Sequence, residues 1–263
     1  MSLDYWHKQT HDKPMYADLL WSRPENKQSA GKLLIIGGNL HGMAAPAEAY
    51  QEAAKAGAGL TRVLLPLSVK SLAGKLLETI DYAPSTPSGS FASAALAEWL
   101  DGAAWANGVL LPGDLGRNSE TAIVLEKFLQ KNTGSVVLAK DAADYVSATP
   151  AMVLGRPNTL LVLTIAQLQK LFSGTNQPVA ITFGMDLLHL VDALHIFTST
   201  YPIFIMVKHL NQVVVAVDGQ ISTTPIEGPE DAPWRVKTAT HAAVWWLQNP
   251  AKAFKALTTS LLE

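Results

Sequence analysis

The chain has 263 residues, 48% of them hydrophobic and 16% charged, so it can bury a large core and is not disordered. It contains no cysteine, which excludes disulfides, thiol nucleophiles and cysteine-ligated zinc. The net charge of −2, the scattered histidines and the lack of a basic block or of an apolar run of about 18 residues predict no metal centre, nucleic-acid partner or membrane partner. The polar start predicts a cytoplasmic protein.

Residues 1–30 are predicted to be an arm ahead of a single domain over residues 31–263. The arm mixes proline, charged residues and aromatic residues without a clean period. Its aromatic residues include Tyr5, Trp6, Tyr16 and Trp21, and aromatic side chains are enriched at protein interfaces. The sequence therefore predicts a homo-oligomer that assembles through the arm.

Apolar runs alternate with helical periods after Lys32. The runs are continuous, which is typical of parallel strands buried on both faces. They cover residues 32–37, 60–66, 108–113, 135–140, 158–164 and 202–208. Helices are predicted over 45–56, 68–77, 92–100, 119–130, 165–172, 186–198, 238–248 and 251–262. The alternation predicts a three-layer α/β/α fold with a mostly parallel sheet, and residues 212–224 predict an antiparallel hairpin with its turn at Asp218-Gly219.

Polar residues and glycines follow several of these strands, where α/β proteins bind ligands. Gly37-Gly38-Asn39 fits both a tight turn and a ligand site. The glycines of "AGAGL", residues 56–60, predict a helix end and a close helix–strand contact. Asp114 and Asn118 fit ligand binding or, preferably, capping of a helix at Ser119.

The same two readings apply further along the chain. Asp141 fits either metal-phosphate binding or capping of a short helix, and capping is slightly preferred. Lys208 ends a buried strand and fits a phosphate contact or a head group in solvent, and His209 is predicted in a surface loop. Thr240 is predicted to cap the helix that contains His241.

The stretch "GKLLIIGGNLHGMAAPAEAYQEAAKAGAGL", residues 31–60, resembles the ADP/ATP-dependent NAD(P)H-hydrate dehydratases. That family belongs to the ribokinase-like superfamily and is often labelled carbohydrate kinase. The resemblance extends over roughly residues 20–260. It implies a ribokinase-like fold, ATP or ADP with Mg as cofactors, a nicotinamide-nucleotide repair reaction, and NAD(P)H hydrate as the substrate.

The resemblance also implies site residues. Those that match the family's substrate positions are Gly37, Gly38, Asn39, Ala45, Gly116 and Asp141. Those that match its nucleotide positions are Lys208, His209, Gln212, Thr238 and Thr240. His241 stands at the catalytic carboxylate of the family's Gly-Thr-Gly-Asp motif, which reads Thr238-Ala239-Thr240-His241 in this chain.

That motif has lost both glycines and the carboxylate. Side chains replace the glycines that would bring backbone amides to a phosphate, and an imidazole replaces the base. The sequence therefore predicts a divergent member whose catalysis is impaired or lost. Two alternatives stay open, a non-catalytic ligand-binding or oligomeric scaffold protein and a kinase-like phosphotransferase of a small hydroxylated substrate.

Overall fold

The computed structural model describes residues 3–73, 79–175, 177, 179–226 and 233–263. Its centre is a 10-stranded sheet in the order β1-β10-β9-β8-β7-β6-β5-β2-β3-β4. The strands are β1 (Trp6–Lys8), β2 (Lys32–Gly37), β3 (Leu60–Pro66), β4 (Ile80–Ala83), β5 (Gly108–Gly113), β6 (Ser135–Ala139), β7 (Thr159–Leu163), β8 (Ile203–His209), β9 (Gln212–Val217) and β10 (Gln220–Pro225). Of these strands, β9 alone runs against the others.

Helices cover both faces of this sheet. They are α1 (Ala17–Trp21), α2 (Ala44–Lys55), α3 (Lys70–Ala73), α4 (Leu96–Trp105), α5 (Ser119–Lys131), α6 (Lys140–Ala148), α7 (Ile165–Ser173), α8 (Leu187–Thr200), α9 (Arg235–Gln248) and α10 (Ala253–Thr259). Short 3-10 helices lie at Leu67–Val69, Ser93–Ala95, Pro150–Met152, Pro250–Lys252 and Ser260–Leu262. Each helix is too short or too polar to span a bilayer over the ranges described.

The two faces have separate cores. Leu34 and Ile36 of β2 pack with helices α4 to α8, whereas Leu33 and Ile35 pack with α2, α9 and α10. Successive side chains of a strand point to opposite faces, so a strand buried on both faces must be apolar at every position. The predicted three-layer architecture with its mostly parallel sheet is therefore confirmed.

The C-terminal hairpin is also confirmed. Strands β9 and β10 pair in antiparallel register, with Val217 opposite Gln220. Asp218 and Gly219 form the turn with φ of 48° and 76°. A two-residue hairpin turn with positive φ at both positions matches the twist of its strands, which explains the Asp-Gly sequence.

Two predicted helices need correction or restriction, and four elements were not predicted. The elements absent from the predicted set are strands β1 and β4 and helices α1 and α6. The predicted helix 68–77 is a 3-10 turn followed by α3, and residues 74–77 of it lie outside the described residues. The last long helix begins at Arg235 rather than at Thr238, which changes the surroundings of the predicted catalytic residue.

The arm contributes to the sheet of the domain. Strand β1 lies parallel to β10, with Trp6 opposite Ile221 and Lys8 opposite Thr223. Since both parts of the chain supply strands to one sheet, the boundary at residue 30 stays a prediction.

Of the two roles that the sequence predicts for the glycines after α2, the helix end is confirmed, whereas the close contact is not one between a helix and a strand. Gly57 follows the helix with a φ of +80°, the left-handed conformation that ends many helices. Gly59 lies against backbone, because a Cβ atom there would stand 2.0 Å from the carbonyl oxygen of Lys27. The close contact is with the chain segment before β2.

We expect Gly59→Ala to lower the free energy of unfolding by about 2–3 kcal/mol, because backbone must move to admit the methyl group. Urea denaturation followed by circular dichroism measures the change. Gly155→Ala is the matched control, since nothing lies within 4 Å of its Cβ position. Equal stability of the two variants would contradict the close contact.

Candidate functional site

The carboxyl ends of β2 and β5 mark the place where the order of the strands reverses. From β2 the chain proceeds outward to β3 and β4 and then returns to β5 on the other side of β2. Ligands of α/β proteins bind at such a switch point. Gly37 and Gly113 bring the two strand ends together, because a Cβ atom at Gly37 would lie 2.7 Å from the Gly113 oxygen.

The side chain of Asp114 fills this switch point. Its Oδ2 accepts a hydrogen bond of 2.7 Å from the Ala45 amide at the start of α2, and its Oδ1 lies 2.8 Å from Lys140 Nζ. Its backbone oxygen accepts a hydrogen bond of 2.7 Å from the Asn39 side chain. The amide end of α2, which attracts anions, is thus neutralised by a carboxylate of the same chain.

Two residues of this cluster have left-handed backbone conformations. Asp114 has a φ of 60° and Lys140 a φ of 51°. This conformation costs a residue with a side chain roughly 1–2 kcal/mol, less for aspartate, so the surrounding contacts must hold it. Non-glycine residues in such conformations concentrate at functional sites.

Asp141 lies beside the same cluster. Its Oδ2 accepts a hydrogen bond of 3.0 Å from the Gly116 amide, whereas Oδ1 is buried and has no partner among the described residues. Burial raises the pKa of Asp141, and the hydrogen bond from Gly116 offsets part of this effect. The carboxyl group is therefore easier to protonate than an exposed aspartate.

The predicted substrate residues are thus joined by contacts at one edge of the sheet. Gly37, Gly38 and Asn39 follow β2, Ala45 begins α2, and Gly116 and Asp141 are bonded to each other. The predicted cap at Ser119 is Asn118, whose side chain accepts from the amides of Glu120 and Thr121, while Asp114 caps α2 instead. Substrate binding by these residues stays a prediction.

A cavity of about 370 Å³ lies beside the β8–β10 strands and the first turns of α9. Its volume is within the range of small-molecule pockets. The described part of the wall contains basic side chains, hydroxyl groups and one acidic side chain. The lining residues are His11, Lys208, Val213, Thr224, Pro225, Ile226, Pro233, Trp234, Lys237, Thr238, His241, Ser260, Leu261, Leu262 and Glu263.

The predicted nucleotide residues separate into two groups around this cavity. Lys208 and Thr238 line it, whereas His209, Gln212 and Thr240 do not belong to its wall. The prediction that His209 lies in a surface loop is wrong. His209 is the last residue of β8, only 4% exposed, and its Nε2 donates a hydrogen bond of 2.7 Å to the Met185 oxygen.

The prediction that Thr240 caps a helix is also wrong. Helix α9 begins at Arg235, so Thr240 lies in its second turn and donates a hydrogen bond of 2.7 Å to the Val236 oxygen. The first turn, residues 235–238, carries no acidic residue. The amides that an anion could meet at this helix belong to residues near Trp234, which lies four positions before Thr238 and six before Thr240.

His241 consequently faces a partner that the sequence does not predict. Its ring is 4% exposed and lies 3.0 Å through Nε2 from Oε2 of Glu52 on α2. Because a carboxylate only accepts, Nε2 carries the hydrogen in the neutral imidazole. Its Nδ1 has no hydrogen-bond partner among the described residues and lies 3.9 Å from Oε2 of Glu263.

Burial governs the charge of this pair. It lowers the pKa of His241, although the hydrogen bond to Glu52 acts in the opposite direction. Burial also disfavours the ionised form of Glu52, but hydrogen bonds from Lys55 and His241 outweigh it and lower the pKa of that carboxyl. A neutral imidazole that donates to a carboxylate satisfies both shifts at neutral pH.

Glu52 has a signal in the sequence. The buried residues of α2 are Ala45, Pro46, Ala49, Glu52 and Ala53, and most of them recur at helical spacing. An acidic residue within an apolar stripe must find a buried partner, because an unpaired charge in a core is costly.

No protein-family model and no curated protein matches the chain. Solved structures do. A ribokinase-like superfamily protein from Enterococcus faecalis aligns with 100% of this chain and 87% of its own, with a TM-score of 0.73 and 16% identity. A hypothetical protein from Streptococcus mutans aligns with 91% of this chain and 83% of its own, with a TM-score of 0.70 and 17% identity.

The ADP/ATP-dependent NAD(P)H-hydrate dehydratase of Bacillus subtilis, co-crystallised with ATP and Mg²⁺, aligns with 94% of this chain and 85% of its own. Its TM-score is 0.61 at 16% identity. The fold is ribokinase-like. At identities this low the likeness establishes the fold alone, and the predicted ribokinase-like fold is confirmed.

We expect Asp114→Ala to lower the free energy of unfolding by about 2 kcal/mol, because it removes the cap of α2 and leaves alanine in a left-handed conformation. Asp114→Asn keeps an acceptor and a side chain that tolerates this conformation, so it should lose less. Lys140→Met removes only a partly exposed ion pair and should cost under about 1 kcal/mol. Chemical denaturation of the three variants ranks their losses of stability. A larger loss for Lys140→Met than for Asp114→Ala would contradict the capping role of Asp114.

The lowered pKa of His241 predicts a pH dependence of stability. A histidine in the unfolded chain has a pKa of about 6.5, so below that pH the unfolded chain binds a proton before the folded chain does. Stability should therefore fall as the pH drops from 7 toward 5.5, and His241→Gln should show a smaller fall. Glu52 does not add to this pH dependence, because the ordinary pKa of a glutamate lies below pH 5.5 and that of Glu52 is lowered further. Parallel pH profiles of the two proteins, measured by urea denaturation, would refute the assignment.

Proposed function

We propose that this protein binds a small anionic ligand of the nucleotide or phosphate type in the cavity beside α9, without turning over NAD(P)H hydrate. It is a divergent relative of the dehydratases in this proposal. The observation that carries it is the composition of the first turn of α9. That turn brings Lys237 to the cavity wall but supplies no carboxylate.

Three features of the cavity support an anionic ligand. Two lysines, Lys208 and Lys237, line it from different elements. Pro233 and Trp234, at the amino end of a 14-residue helix, line it as well, and the dipole of such a helix favours negative charge. Hydroxyl groups of Thr224 and Thr238 add neutral donors.

The missing base argues against catalysis. Phosphorylation of the substrate hydroxyl, which must precede elimination of the phosphate, requires a group that takes the proton from that hydroxyl, and such a base contributes about 100- to 10,000-fold to the rate. His241 is neutral, buried and already donates to Glu52. The carboxylate nearest the switch point, Asp114, is held by Ala45 and Lys140.

In this proposal Mg²⁺ binds only together with the ligand. Among the described residues no group of three or more histidines or acidic residues is arranged to hold a metal ion. Mg²⁺ often binds through one or two protein carboxylates and the phosphates of a substrate. Among the described residues of the cavity wall Glu263 is the one acidic residue, so phosphate oxygens would supply most of the ligands.

Assembly through the arm stays a prediction. Tyr5 stacks on His195 of the same chain, and Trp6 donates a hydrogen bond to Thr223. Trp21 is 89% exposed and is the arm residue that supports an interface. A scaffold without a ligand is the second reading that this exposed tryptophan favours, and analytical ultracentrifugation of Trp21→Ala tests it.

We expect ADP and ATP to bind with dissociation constants in the tens of micromolar or weaker, since the glycine-lined phosphate site is missing. Lys237→Ala should weaken binding about tenfold, because a charge-assisted hydrogen bond is worth about 1.5–3 kcal/mol. Isothermal titration calorimetry measures both, with the exposed Lys252→Ala as the matched control. No heat and no thermal stabilisation with ADP, ATP or pyrophosphate at millimolar concentration would refute the proposed ligand class.

We also expect no conversion of NADH hydrate to NADH by the purified protein with ATP or ADP and Mg²⁺. The assay follows recovery of the absorbance of the reduced nicotinamide ring against a control without enzyme. Recovery that requires the nucleotide would show that the protein retains a base. Loss of that recovery in His241→Ala would identify His241 as the base.

A further inference from the structure

The turn that follows β1 lies against the cavity. His11 belongs to the cavity wall together with Thr224 of β10 and Lys237 of α9. Residues Tyr5–Asp12, which we call the docked segment, therefore bring His11 to the cavity wall. The sequence predicts this segment as part of an arm and gives it no role at the ligand site.

Backbone pairing fixes the docked segment on the edge of the sheet. The Ile221 amide donates a hydrogen bond of 2.7 Å to the Tyr5 oxygen, and the Gln9 amide donates one of 2.9 Å to the Thr223 oxygen. The strand thus pairs with β10 from Tyr5 to Gln9. Thr224, the next residue of β10, lines the cavity.

The side chain of Gln9 secures the turn from inside. Gln9 is 1% exposed, and its Nε2 donates hydrogen bonds of 2.8 Å to the Thr258 oxygen and 3.2 Å to Thr224 Oγ1. Its Oε1 accepts a hydrogen bond of 3.2 Å from the Met15 amide, beyond the turn. A buried amide with all these partners is costly to displace, so the chain on both sides of His11 is held.

The turn itself is short and closed. The Lys13 amide donates a hydrogen bond of 3.1 Å to the Thr10 oxygen, which leaves His11 and Asp12 at its tip. His11 is partly buried and faces the cavity, whereas Lys13 is exposed and does not belong to the wall. The two residues therefore differ in their access to a ligand within one turn.

Aromatic contacts anchor the start of the docked segment. The Tyr5 ring stacks on His195 with 3.7 Å between ring centroids, and its hydroxyl donates to Asp192. This hydrogen bond to a carboxylate, together with burial, raises the pKa of Tyr5 to about 12. The aromatic residues that predict an interface between copies are partly used within one chain.

We propose that the docked segment is a ligand-binding element, with the His11 imidazole contacting an anion in the cavity, so that ligand binding and docking of the segment stabilise each other. The inference rests on the proposed anionic ligand. Imidazole N–H groups donate to phosphate oxygens, and His11 stands on the same wall as Lys237. Thermodynamic linkage requires that a ligand which contacts the docked segment also holds it in place.

Calorimetry with ADP and with pyrophosphate tests the contact. His11→Ala should weaken binding about tenfold or more, whereas Lys13→Ala in the same turn should leave it unchanged. The affinity for pyrophosphate should fall by the same factor as that for ADP if His11 contacts a phosphate group. Unchanged binding by His11→Ala while Lys237→Ala weakens it would overturn this inference and leave the proposed function intact.

Hydrogen exchange measures the coupling without a variant. Saturating ADP should slow exchange of the Gln9 and Met15 amides in the wild-type protein, because both close the turn that holds His11. Unchanged exchange at these amides during confirmed binding would overturn the coupling. Absence of binding by the wild-type protein would remove both this inference and the proposed function.

Discussion

Burial of the sheet on both faces is the constraint on which the other features of this protein depend. Helices cover each face, so almost every side chain of the central strands is apolar and has no group that could bind a polar ligand. Polar groups can then gather only where strands end. At those ends the backbone amides and carbonyls need partners, because unsatisfied polar groups are costly in a buried site. Whatever this protein binds must compete for those groups.

The switch point and the region beside α9 satisfy this requirement in different ways. At the switch point the chain supplies its own anion, Asp114, which takes the place of a ligand at the start of α2. Beside α9 the corresponding helix end lies next to a cavity with lysines on its wall. The first region is closed by internal pairing, whereas the second borders a cavity. The proposed function depends on this difference between the two regions.

The sequence predicted features whose cause is local. Continuous apolar runs located the long parallel strands, and Asp218-Gly219 located the hairpin turn, because strand burial and turn conformation depend on nearby residues. The start of α9 was misplaced, since Trp234 provides no side-chain cap and threonines further along offered a plausible one. That error placed His241 at a helix end, where it would have been accessible.

Other features depend on residues distant in sequence and could not be read from a pattern. Strand β1 consists of only three residues in a polar segment, and its partner β10 follows more than 200 residues later. His209 is buried because α8 begins nearby and the Met185 oxygen accepts a hydrogen bond from its ring. Asp114 caps α2 rather than the helix that follows it, which only the sheet order reveals.

The pairing of β1 with β10 also sets an order of assembly. Trp6 and Thr223 are joined by a hydrogen bond across 217 positions of the chain. During synthesis the first residues emerge long before their partners exist, so the sheet from β2 to β8 can form while the start of the chain is still unattached. Closing so long a loop costs conformational entropy and is therefore slow. The edge of β10 stays unpaired until β1 docks on it. The cavity wall that contains His11 is consequently among the last parts of the molecule to be completed.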